Sequence, residues 1–93
     1  MNEEKIKALK EQFGEIHCYK SKDKECFLKK PTLDDIDYAQ SVSKSSMGFK
    51  RALTNVIWIE GDEDLRTETK YALGLFGVVS DLIEVEVGDW VKL

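Results

Sequence analysis

Apolar positions along this chain recur first at helical spacing, then in alternation, then at helical spacing again, so helices flank two short strands. Ile6, Leu9 and Phe13 share one face of a predicted helix whose first turn carries Glu3 and Glu4, the sign that complements the helix dipole. Gly14 follows the last periodic residue and closes it. Residues 15–19 and 25–30 then read as strands joined through the polar stretch Ser21-Lys22-Asp23-Lys24. Pairing Ile16 with Leu28 and Cys18 with Cys26 gathers four apolar side chains on one face and sets His17 opposite Phe27 and Tyr19 opposite Glu25 on the other. Two strands alone are marginal in water, so helices are expected to cover at least one face.

Pro31 ends the second strand, because it has no amide to donate and holds Lys30 extended. Thr32 is placed to cap the next helix, with Asp35 reaching back to complete a capping box. That helix runs through Leu33, Ile36, Ala39 and Val42 toward the serine-rich residues 43–46. A second stripe, Phe49, Ala52, Leu53, Val56 and Ile57, predicts a core-facing helix with Trp58 at the edge of the stripe. Gly61 and the run Asp62-Glu63-Asp64 end it. The last long helix is predicted over residues 67–83, through Tyr71, Leu75, Phe76, Val78, Val79 and Leu82. Its arc is wide, with Gly74 and Gly77 admitting another backbone. Residues 84–87 alternate like a strand, and Gly88-Asp89 turns the chain into Trp90. The fold expected is α+β: an N-terminal helix, a β-hairpin, then three helices packed in a single small domain over residues 1–93.

At 93 residues one core fits and a roomy cleft does not. No apolar run approaches the roughly 20 residues that span a bilayer, and Met1-Asn2-Glu3-Glu4-Lys5 lacks the apolar core of a secretory signal, so a cytoplasmic protein is expected. Charge is polarised: residues 1–51 hold 11 Lys/Arg against 9 Asp/Glu, net +2, and residues 52–93 hold 3 against 9, net −6. The acidic second half argues against wrapping nucleic acid. Lys20, Lys22, Lys24, Lys29 and Lys30, beside Tyr19 and Phe27, keep one alternative in view, a small nucleic-acid-binding regulator using the basic hairpin.

No catalytic residue, cofactor or metal is expected. His17 is the sole histidine and has no evident catalytic partner. Cys18 and Cys26 lack metal or redox spacing and are read as reduced and buried. The run Asp62-Glu63-Asp64 does not alternate its carboxylates as calcium loops do, and Asp34, Asp35 and Asp37 answer a helix N-terminus. The acidic run does suit contact with a basic partner, and large aromatics are preferred interface anchors. Phe49, Trp58, Asp62, Glu63, Asp64 and Trp90 are therefore the candidate partner-binding residues.

Three segments carry a family likeness: Cys26-Phe27-Leu28-Lys29-Lys30-Pro31-Thr32, then residues 55–65 from Asn55 through Trp58 and Gly61-Asp62-Glu63-Asp64 to Leu65, then Asp81-Leu82-Ile83-Glu84-Val85. From about residue 14 to 87 the chain resembles small bacteriophage and prophage tail assembly chaperones. The resemblance implies a non-enzymatic protein of the bacterial cytoplasm that binds the tape measure protein, or another tail protein, during tail morphogenesis. Homo-oligomer formation is left open by it. Trp58, Gly61, Asp62 and Glu63 are the motif positions carried over; Gly74, Gly77 and the Gly88-Asp89-Trp90 ending depart from the charge-rich helical end of that family.

Overall fold

The computed structural model describes residues 3–93. Helix α1 (Glu3–Phe13) leads into strands β1 (Ile16–Ser21) and β2 (Lys24–Lys29), then helices α2 (Leu33–Ser41) and α3 (Ser46–Ile57). Strand β3 (Trp58–Gly61), helices α4 (Asp64–Thr67) and α5 (Thr69–Val78), and a 3-10 turn (Val79–Leu82) complete the order. The architecture is α+β, with a three-stranded antiparallel sheet ordered β1-β2-β3.

The hairpin forms, but one residue out of the expected register: His17 faces Leu28, Cys18 faces Phe27 and Tyr19 faces Cys26. The cause is the connection. Lys22 and Asp23 alone join the strands, and Lys22 takes φ +56°, the left-handed geometry of tight hairpin turns. Both faces of the sheet are also covered, so alternation did not have to favour one. Cys26 and Leu28 point into the main core, while Phe27, on the other face with its partner Glu60, is buried outside that cluster. Helix α1 lies on this second side, touching β1 and pairing Lys5 with Glu60 at 2.8 Å. Ile6 and Leu9 are half-buried there, and α1 holds no fully buried residue.

Gly14 closes α1 at φ +80°, its amide donating to the Lys10 carbonyl at 2.8 Å. Thr32 caps α2 as expected: its hydroxyl accepts from the Asp35 amide at 3.2 Å, and the Asp35 carboxylate accepts from the Thr32 amide at 3.0 Å. Within α2, Ala39 is buried and Ile36 packs on the core, but Leu33 and Val42 are exposed and the capping carboxylate of Asp35 takes an inward place instead. Ser45 caps α3 by accepting from the Gly48 amide.

Strand β3 is the element the helical stripe concealed. Backbone at Trp58 swings to ψ 126°, and the chain pairs with β2, Gly61 opposite Cys26 and Trp58 opposite Leu28, with an irregularity between Phe27 and Leu28. The helix expected over residues 67–83 begins at Thr69 and gives way to a 3-10 turn after Val78, and an unexpected short helix, α4, precedes it across extended Glu68 (ψ 124°). Gly74 admits the Tyr19 hydroxyl rather than another backbone, and a Cβ at Gly77 would meet nothing within 4 Å.

Leu53, Ile57, Leu65, Leu75 and Val79 form the centre of the core with Cys26 and Leu28. Thr54, fully buried among them, satisfies its hydroxyl by donating to the Lys50 carbonyl at 2.8 Å. Residues 84–93 leave this body without regular structure, so the alternation of residues 84–87 does not form a strand with any described element. The Cα radius of gyration is 15.1 Å against about 12 Å for a compact chain of this length, and the longest dimension is 55 Å.

Candidate functional site

Four of the six candidate partner-binding residues meet at the corner between β3 and α4. Asp62 stitches the corner to the hairpin: its carboxylate accepts from the Glu25 amide and its own amide donates to the Glu25 carbonyl, both at 2.9 Å. Glu63 accepts a two-pronged bond from Arg66, both prongs 2.8 Å, and the guanidinium lies 4.2 Å from the centre of the Trp58 ring. Arg66 thereby holds the carboxyl of Glu63 below its usual range. Asp64 pairs with Lys24 at 2.8 Å, which raises the lysine pKa. Planar stacking and forked bonding are both arginine properties that a lysine does not reproduce.

This corner is a closed knot of opposite charges with outward-facing carboxylates. Exposed pairs of this kind contribute little stability each. Trp58 is half-buried and packs on the core, as its place at the edge of the stripe implied. Phe49 also packs on the core from α3, half-buried. Trp90 stands apart on the C-terminal segment, fully exposed. The sequence reading did not single out Arg66; its spacing three residues after Glu63 on a short helix was the available signal.

A second feature lies across the molecule's other sheet edge. A groove of about 230 Å³ runs between β1 and the α5 end, lined by His17, Leu28, Leu75, Val78, Val79 and Leu82. His17 is thus on the core-side face of β1, not the outer face expected from the slipped register, with Nε2 3.5 Å from a Glu15 carboxylate oxygen. Cys18 is exposed rather than buried, and it points to the opposite face from Cys26, so the two thiols do not oppose each other. Partial burial and the Glu25 carboxylate raise the Cys18 pKa, and burial pushes that of Cys26 up to about 12. Both shifts disfavour the thiolate that nucleophilic chemistry needs. Among the described residues no three His, Cys, Asp or Glu side chains are grouped to hold a metal ion.

The basic hairpin is partly neutralised from within. Lys24 pairs with Asp64, Lys29 with Asp35 at 3.0 Å, and Lys30 with Glu84 at 2.9 Å and Glu15 at 3.7 Å. Such pairing subtracts charge from any phosphate-binding surface.

No family model matches the chain, and no curated protein or solved structure matches it either. No helix among the described residues is long and apolar enough to cross a membrane.

Proposed function

We propose that this is a non-enzymatic protein-binding module, acting as a phage or prophage tail assembly chaperone or tail accessory protein on the tape measure protein in the bacterial cytoplasm. One observation carries the reading. Beyond its core the chain leaves large apolar side chains on the surface of both its helices and its tail, among them Leu33, Tyr38, Val42, Met47, Leu73 and Trp90. Tyr38 and Val42 are four residues apart and so share an outward face at the end of α2. Exposed apolar surface on a chain whose second half is acidic is what covering an apolar helical segment of a client requires, with charge giving solubility. The resemblance of the segments around Pro31, Gly61 and Ile83 to tail assembly chaperones supplies the particular client.

Co-expression with the tape measure protein encoded nearby is expected to yield a soluble complex that co-elutes. Separate elution of the two purified proteins at micromolar concentration would defeat the reading.

A further inference from the structure

We propose that residues 84–93 are a strand donated to a second copy of this chain, pairing there with the open edge of β1 beside the groove against α5, reciprocally in a two-fold dimer. The proposal concerns self-association and stands apart from the choice of client.

The donor is unsatisfied as it stands. Val85, Val87, Val91 and Leu93 share one phase of a two-residue alternation, with Asp89 between them, while Glu84, Glu86, Trp90 and Lys92 take the other, so four aliphatic side chains fall on one face of a strand. Yet Val85 is 73%, Val87 86%, Trp90 101%, Val91 79% and Leu93 114% exposed. A segment rich in valine, with one tryptophan and no ladder partner among the described elements, fits a pleated surface.

The acceptor is equally incomplete. β1 is an outer strand, and the Lys30 amide donating to the Glu15 carbonyl fixes the phase of its pairing with β2. In an antiparallel ladder that phase turns the backbone groups of Ile16, Cys18 and Lys20 to the open side. Beside that edge lie Leu28, Leu75, Val78, Val79 and Leu82, the apolar lining of the groove. Strand addition at such an edge draws affinity from main-chain bonds and selectivity from a pocket for alternate side chains.

Two observations select a second copy over the chain's own edge. Lys30 holds Glu84, and Glu86 borders a depression of about 410 Å³ with Pro31, Leu33 and Ile36, so the segment sets off along α2 instead of along β1. Area is sufficient when doubled. Four aliphatic side chains on one face at about 100 Å² each give roughly 400 Å² per tail. With the matching acceptor surface and two reciprocal exchanges, the total is about 1,600 Å², within the range of stable interfaces.

Light scattering on the eluting full chain at micromolar concentration tests this, read with amide hydrogen exchange across β1. The expected mass is twice 10.7 kDa, with slow exchange at Ile16, Cys18 and Lys20. Val85→Asp with Val87→Asp, both at exposed positions, is expected to leave the fold intact, weaken association at least about tenfold and release those amides. Cys18→Pro removes an outward amide on an edge strand, where proline is tolerated, and is expected to have the same effect. Mixing the two variants restores one productive exchange and some dimer. A monomeric parent, whether its β1 amides are open or protected by its own tail, overturns the proposal, as does a dimer that survives the tail substitutions.

Discussion

Gly61→Ala probes the corner on which β3 and the acidic turn both depend. Gly61 sits at φ +146°, a conformation side-chain-bearing residues rarely adopt, and an added Cβ would lie 2.5 Å from Cys26 Cβ, 2.6 Å from the Glu25 carbonyl oxygen and closer still to Cys26 Cα. Two of these neighbours are backbone atoms of β2, which have no rotamer through which to yield. The conformational term costs about 1–3 kcal/mol, and the overlap about 1–3 kcal/mol more. Relief requires β3 to part from β2, which also loosens the paired bonds between Asp62 and Glu25. The sum, about 2–6 kcal/mol, is a large share of the roughly 5–14 kcal/mol available to a domain of this length. At about 4–8 °C per kcal/mol, the midpoint should fall by about 8 °C or more. Urea and thermal unfolding followed by circular dichroism give both numbers. Gly77→Ala is the control: in a helix, with nothing within 4 Å of the new Cβ, it should gain about 0.5–1 kcal/mol. If Gly61→Ala unfolds within about 1 kcal/mol of the parent, the account of this corner is wrong.

Asp35→Ala should cost about 1–2 kcal/mol at neutral pH, because it removes the back-bond of the capping box and the partner of Lys29. Burial opposes the Asp35 charge, but bonds from the Thr32 amide and from Lys29 outweigh it and set its pKa below the ordinary value. Its stabilisation is therefore complete above the unfolded pKa and fades as pH falls through the lowered folded one. Urea melts should show parent and variant converging on acidification; a gap that stays constant would contradict this. Alkylation near pH 8 should label Cys18 in the folded protein and spare Cys26, with both labelled in denaturant, as read by mass spectrometry of peptides. Equal labelling of both in the native protein would show that Cys26 is not sealed in the core.

What the sequence disclosed was local, and what it hid was set by distant partners. Thr32 and Asp35 lie one helical turn apart after a proline, so the cap and its reciprocal bond could be read directly. The end of α1 at Gly14 is legible for the same reason. Register was not, because the tight turn uses Lys22 and Asp23 where glycine or asparagine would have announced it, and because α1 removes the pressure to keep one face polar. Trp58 and Ile59 continue an apolar stripe, and only pairing with β2 turns them into strand. The start of α5 was legible to within two residues, but α4 was not, because its single turn begins inside the acidic run that read only as an end to the preceding element. The acidic turn stood out as a charge run, but its partners did not: Lys24 meets Asp64 across 40 residues of chain, and Arg66 finds Trp58 only once β3 has formed.

Helix α1 touches β1 with Ile6 and Leu9 half-buried and its Lys5 paired to Glu60, the strand partner of Phe27, which is itself only 7% exposed. None of its residues belongs to the central cluster and none is fully buried, so α1 is expected to open at the low end of the molecule's local opening energies, ahead of the helices that build the core.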